Sequence, residues 1–348
     1  MKKVSNYVSG KWIEGDGEEL VAENAINGQA IGSVSSAGLD YQAILEYGRS
    51  VGGPALRKMT FQERGRMLKA LALHLMSIKA KFYSLSAATG ATKVDSWIDI
   101  EGGIGNLFAN ASLRKQFPDL PFAVEGDAIP LSKGGSFIGH HILVPKRGVA
   151  IHINAFNFPI WGMLEKIAVN LLAGVPAVVK PSEFTSYLTE LMVKEIIDSK
   201  ILPEGSLQMV SGLGRGILDH VNQNDVVTFT GSAATGLKLK ALPNIIQNTV
   251  PFNLEADSLN ATILGEDAAP GTLDFDIFLK ATRAEITVKA GQKCTAVRRI
   301  IVPEKYIEDV QIALGQQLAK TTIGDPSVDG VRMGALACRM QVDRVRQN

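Results

Sequence analysis

The sequence holds only two cysteines, Cys294 and Cys338, among 348 residues. Two thiols cannot staple a chain of this size, and neither sits at a C-x-x-C or comparable spacing, so no disulfide framework and no metal site is expected. An excess of either charge is also missing. Thirty-six Lys and Arg face 35 Asp and Glu, a formal net charge of +1, which removes the global field that draws a protein to nucleic acid or an anionic membrane. Any anionic ligand has to be held locally. Long apolar runs are absent as well: a membrane span needs roughly 20 apolar residues, and the best candidate, 160–173, is broken by Glu165, Lys166 and Asn170. The start, Met1-Lys2-Lys3-Val4-Ser5-Asn6, leads into polar and glycine-rich sequence, without the apolar core of a secretory signal. A soluble, cytoplasmic protein is expected. The five histidines (His74, His140, His141, His152, His220) show no metal or triad spacing and read as structural.

What is present is 46% hydrophobic content over a length that accommodates two domains of about 100 to 200 residues. The first forty residues alternate short β-type runs with turns at Ser9-Gly10 and Asn27-Gly28, which predicts a small antiparallel entry. Thr60 and Glu63 then form a capping-box signature ahead of Met67, Leu68, Leu71, Leu75 and Met76, predicting one long helix up to Gly90. Residues 124–144 read as an extended hairpin. From Val149 onward strands and helices alternate: strand 149–153, helix 160–172, strand 177–179, helix 186–197, strand 208–210, helix 216–221, strand 226–229. That rhythm predicts a doubly wound α/β fold with a parallel sheet covered on both faces.

Ligands of such sheets sit at the carboxyl ends of the strands. Asn154 to Pro159 follow the first of these strands, Lys180-Pro181-Ser182-Glu183 the second, and Gly231 to Gly236 the fourth. A lysine and a carboxylate after a buried strand suit the two hydroxyls of a ribose, or else form a solvated loop. Gly231 and Gly236 bracket a strand-to-helix turn of the kind that admits a phosphate, but the spacing is not G-x-G-x-x-G, and an ordinary tight turn explains it equally. Gly212-Leu213-Gly214-Arg215-Gly216 is a rival phosphate loop. Glu255 is a candidate general base if partly buried. A lone cysteine is first a small buried hydrophobe. Cys294, however, lies between Lys293 and a glycine-flanked polar turn, and a basic neighbour favours the thiolate.

Taken together, Asn157-Phe158-Pro159, Lys180-Pro181-Ser182-Glu183, Phe229-Thr230-Gly231-Ser232, Glu255 and Gly291-Gln292-Lys293-Cys294 stand in the order of the aldehyde dehydrogenase superfamily, which the chain resembles from Val8 to Pro326. The resemblance implies a cofactor-binding domain over 1–122 and 148–256, an oligomerisation hairpin over 123–147 with a homo-oligomer as its product, and an incomplete catalytic domain over 257–348. It also implies that Cys294 attacks an aldehyde, that Asn157 and the Cys294 backbone N–H meet the oxyanion, and that Glu255 activates water. Lys180, Ser182, Glu183, Gly231, Ser232, Phe156 and Ala256 are then the cofactor contacts. Glu183 leans towards NAD and the similar branch towards NADP, so both stay open.

Within the superfamily, Gly90-Ala91-Thr92, residues 95–105, His152 to Pro159 and Glu255 to Asn260 resemble the dehydrogenase half of the phenylacetate-degradation ring-opening bifunctional branch. This branch oxidises a CoA-linked semialdehyde, and a related one serves benzoate breakdown. Glu255-Ala256-Asp257-Ser258 replaces the common Glu-Leu-Gly-Gly, and the stretch from Glu255 to Cys294 is longer than usual. No Glu-x-Phe-Gly-Pro follows Cys294 and no hydratase-like domain is seen, so the chain is expected to be C-terminally truncated. Other readings of the same residues are acylation of CoA, a non-catalytic nucleotide-binding fragment, and a cofactor-free cysteine hydrolase. The last lacks a histidine placed to activate Cys294.

Overall fold

The structure is a computed structural model that describes residues 2–17 and 19–347. Fourteen strands appear among these: β1 (Lys3–Val4), β2 (Asn6–Val8), β3 (Lys11–Ile13), β4 (Leu20–Glu23), β5 (Ala30–Val34), β6 (Ala123–Pro130), β7 (Ile138–Leu143), β8 (Ala150–Ile153), β9 (Ala177–Lys180), β10 (Leu207–Met209), β11 (Val226–Gly231), β12 (Phe252–Ala256), β13 (Asn260–Ile263) and β14 (Val297–Ile301). The main sheet runs β12-β11-β8-β9-β10-β2-β3. Its first five strands are parallel, as the alternation of strands and helices predicts.

The reason lies in β9. Ala177 and Val179 enter one apolar cluster and Val178 the other, so both faces of the strand are covered. On one side pack helices Phe61–Ser77, Gly103–Leu113, Pro159–Leu172 and Ser186–Asp198. The opposite side is filled by Ile44, Leu45, Ile217, Leu218 and Ile245 against Ile151 and Val227. Each fully buried Val, Leu or Ile contributes about 1.5–3 kcal/mol relative to exposure, which makes these two layers the main source of stability. A third, smaller cluster joins Phe275, Phe278 and Leu279 to Val310 and Leu314 beside the parallel pair β13–β14. Among the described residues no helix is long and apolar enough to cross a membrane.

Three local expectations change. The antiparallel entry is divided between two sheets: β2 and β3 turn through Ser9 and Gly10 at positive φ and join the main sheet antiparallel to β10, whereas β1 and β4 flank β5, β1 in parallel. The capping box at Thr60 and Glu63 forms, but the long helix ends at Ser77. After a turn at Ile78 and Lys79 a second helix, Ala80–Ala87, begins and places Phe82 in the core. The helix expected over 216–221 shrinks to one 3-10 turn, Ile217–His220, because three glycines in left-handed conformation precede it. The hairpin forms from β6 and β7, and its Val124, Ile129, Phe137, Ile138, Ile142 and Leu143 are exposed.

Candidate active site

The register of the parallel strands brings the motif residues to one edge. Lys180 stands opposite Ile153, Ile153 opposite Phe229 and Phe229 opposite Leu254, so four strands end on one row. One step further, Thr230 faces Glu255 and Gly231 faces Ala256. The chain then leaves the sheet through residues 154–158, 181–183, Ser232 and Asp257, all at the carboxyl ends of the parallel strands.

Cys294 and Glu255 meet there. Partial desolvation, then the charge of the nearby Glu255 carboxylate, push the thiol's proton affinity above that of an ordinary thiol. This corrects the expectation drawn from Lys293. Its ammonium turns away to Glu285 at 2.6 Å and does not activate the sulfur. Glu255 is exposed rather than partly buried, and Thr230 Oγ1 donates to its Oε2 at 3.3 Å. Asn157, half-buried, donates through Nδ2 to the Gln292 carbonyl at 2.9 Å, which ties it to the loop that presents Cys294. An amide has two N–H donors, so one is left for a ligand. The three residues that the sequence analysis singles out for chemistry therefore belong to one locus.

The cofactor candidates line the adjoining end of the sheet. Lys180 is buried and Glu183 half-buried, their charges 3.3 Å apart. Burial pulls the lysine's proton affinity down and Glu183 partly restores it. Ser182 is buried beside them. The glycine loop first read as a rival phosphate site lies against the same lysine: a Cβ at Gly214 would sit 3.2 Å from Lys180 Cγ. Ser232 caps helix Ala233–Lys240, its Oγ accepting from Thr235 N at 3.3 Å, while the Ala233 amide donates to Asp257 at 3.2 Å. Gly236 lets that helix approach β12, since a Cβ there would lie 2.2 Å from Leu254. At Gly231 a side chain would strike the Phe229 ring at 2.6 Å, so packing already demands glycine. Phe156, whose carbonyl accepts from Thr185 Oγ1, and Ala256 are half-buried on the same edge. A buried lysine paired with a carboxylate, next to a helix N-terminus, is a donor set that fits a dinucleotide.

Sequence reasoning gave Asn260 no role. Its Nδ2 donates to the Cys294 carbonyl at 2.5 Å and to the Ala296 carbonyl at 3.3 Å, clamping the turn that carries Cys294. The signal in the sequence is its place in the run from Glu255 to Asn260 that resembles one branch of the superfamily. Residues near the end of the chain also return to the site, Ala337 N donating to Gln292 Oε1 at 3.0 Å. Cys338 is buried, and the Glu183 charge adds to the burial that raises its thiol.

The model of the aldehyde dehydrogenase family matches residues 12–348. A 3,4-dehydroadipyl-CoA semialdehyde dehydrogenase of Aromatoleum evansii is 42% identical over 340 residues, covering 97% of this chain and 66% of that protein. In fold, the chain is similar to a solved lactaldehyde dehydrogenase (TM-score 0.87, 22% identity, 99% of this chain and 70% of that one). It is likewise similar to an aldehyde dehydrogenase of Bacillus cereus solved with NAD+ (TM-score 0.86, 23% identity, 99% and 68%). The chain spans about two thirds of the length of these relatives.

Proposed function

Because the chain belongs to the aldehyde dehydrogenase family, we propose that it serves the oxidation of an aldehyde to a carboxylic acid, with NAD or NADP accepting the hydride and Cys294 as nucleophile. The observation that carries this reading is the loop of Cys294, tied to Asn157 through Gln292 and set near enough to Glu255 for its charge to raise the thiol. A raised thiol needs a base at hand, and Glu255 is that base: the sulfur attacks the carbonyl carbon as its proton passes to the carboxylate. Charge that develops on the aldehyde oxygen is met by the free N–H of Asn157 and the backbone N–H of Cys294. Lys180, Ser182, Glu183, Gly231, Ser232, Phe156 and Ala256 hold the dinucleotide, which when bound supplies the acceptor for the electron pair of the aldehyde C–H bond. Glu255, exposed to solvent, releases the thiol's proton to bulk water and then takes a proton from the attacking water; hydroxide adds to the thioester carbon, and the acid leaves as Glu255 returns that proton to the departing sulfur.

The relative from Aromatoleum evansii is named for a CoA-linked semialdehyde. With the motifs at 90–105 and 255–260, it supports a CoA-linked semialdehyde of aromatic breakdown as substrate, the phenylacetate branch being the reading of those motifs. Residues 1–122 and 148–256 act as the cofactor domain, 257–348 belong to the catalytic domain, and the apolar hairpin 123–147 pairs with another copy.

The test is aldehyde-dependent reduction of NAD and NADP. Cys294→Ala is expected to abolish it, and Glu255→Gln to slow turnover about 10²–10⁴-fold, the range for loss of a positioned base. Turnover that survives Cys294→Ala refutes the reading. Absolute dependence on added CoA, with no free acid formed, replaces water by CoA as acceptor.

A further inference from the structure

Immediately before the nucleophile the backbone takes an unusual course. Lys289, Ala290 and Gly291 all have positive φ, +53°, +52° and +71°, and the first two carry side chains that rarely adopt this conformation. Such a run persists only where the surroundings hold it. Here the grip is centred on Lys289, a lysine only 3% exposed. Its ammonium donates to Thr89 Oγ1 at 2.8 Å and its backbone N–H to Asp95 Oδ1 at 2.8 Å. Its carbonyl accepts from Gln292, from the backbone N–H at 3.1 Å and the side-chain Nε2 at 3.0 Å.

The carboxylates around this ammonium have structural tasks of their own. Asp95 closes a capping box with Thr92 at the start of helix Lys93–Trp97. Asp99 is buried and accepts from the N–H groups of Ile160 and Trp161, at 3.1 and 2.8 Å, in the first turn of the helix that follows Asn157. Both carboxylates attract the ammonium. One buried cluster thus reaches the Cys294 loop on one side, through Asp95, and the helix that follows Asn157 on the other, through Asp99.

We propose that Lys289 is a positioning residue: its buried ammonium, gathered with Thr89, Asp95 and Asp99, holds loop 289–294 in its left-handed course and sets where Cys294 meets Glu255 and Asn157. The proposal rests on the dehydrogenase reading for its effect on turnover, but not for its effect on the thiol. Lys289→Met keeps the length of the side chain and removes the charge; Thr89→Val removes the hydroxyl partner and keeps the ammonium; Thr89→Ser restores the hydroxyl.

Alkylation of Cys294 by iodoacetamide, followed across pH on the Cys294 peptide by mass spectrometry, reads the contact with Glu255 without any aldehyde. In Lys289→Met and Thr89→Val the pH midpoint is expected to fall, because the sulfur leaves the carboxylate that raises it, while Thr89→Ser keeps the wild-type midpoint. For aldehyde oxidation kcat is expected to fall by about 10²-fold, the cost of a misplaced reacting group, with the KM for the dinucleotide within about twofold. Should Lys289→Met fail to fold, Thr89→Val against Thr89→Ser decides. A wild-type midpoint in both folded Lys289→Met and Thr89→Val, or in folded Thr89→Val alone, overturns the proposal. A wild-type chain that reduces no dinucleotide overturns the dehydrogenase reading, and the alkylation midpoints still decide the role of Lys289.

Discussion

Asp99 offers a test of how burial and charge balance beneath the site. Its carboxyl is enclosed, and burial, opposed by hydrogen bonds from Ile160 and Trp161 and by the Lys289 charge, raises it from 3.8 to about 7. An acid whose folded pKa lies above its unfolded one keeps its proton in the native state after the unfolded chain has lost it. Its contribution is therefore fully present below about pH 4 and is lost as pH rises towards 7. At about 1.36 kcal/mol per pH unit, the whole span amounts to about 4 kcal/mol. Asp99→Asn keeps an oxygen acceptor for both backbone N–H groups and cannot ionise. Relative to wild type, the variant should gain about 2–3 kcal/mol between pH 5 and pH 8, measured by urea unfolding at each pH. Parallel profiles would refute the argument. A variant that loses ground as pH rises would show that attraction to Lys289 outweighs burial, the opposite sign.

Two further outcomes are expected. With Lys180 and Glu183 at the ribose as proposed, the Glu183 carboxylate would oppose a 2'-phosphate and NAD should be preferred; Glu183→Gln should raise kcat/KM for NADP about tenfold or more, on the order of 1.4 kcal/mol, and an unchanged NAD to NADP ratio counts against the assignment of these residues to the ribose. Asp225 is buried and accepts from Arg49 Nη2 at 2.5 Å and from the N–H groups of Val149 and Asn222, each at 2.8 Å, joining the starts of β8 and β11. Asp225→Ala removes the buried partner of that guanidinium and the acceptor of two backbone N–H groups, and should cost about 3–5 kcal/mol in urea unfolding.

The layered fold was legible because its signals are local. Ala177-Val178-Val179 reads as a strand buried on both faces, Thr60 and Glu63 announce a helix start, and the motif residues follow strands. What escaped was set by contacts across the chain. Adjacency suggested Lys293 as the activator of Cys294, but the side chain points to Glu285, eight residues back. Periodicity ran straight through Ile78 and Lys79, where Phe82 and the pairing of Lys79 with Glu101 turn the chain. Gly231 read as a phosphate contact, while the Phe229 ring that excludes a side chain there is visible only in three dimensions. Nothing in the sequence singles out Lys289, since its partners Asp95 and Thr89 lie 194 and 200 positions away.

That separation bears on biosynthesis. As the ribosome releases the chain from its amino end, Thr89 and Asp95 emerge long before the loop they grip, and contacts this remote form slowly. Until they close, the sulfur at position 294 belongs to an unconstrained peptide with no carboxylate beside it. Sulfur and base are thereby brought together only late in folding, and a stalled or misfolded polypeptide carries a thiol of ordinary proton affinity in place of one raised beside Glu255.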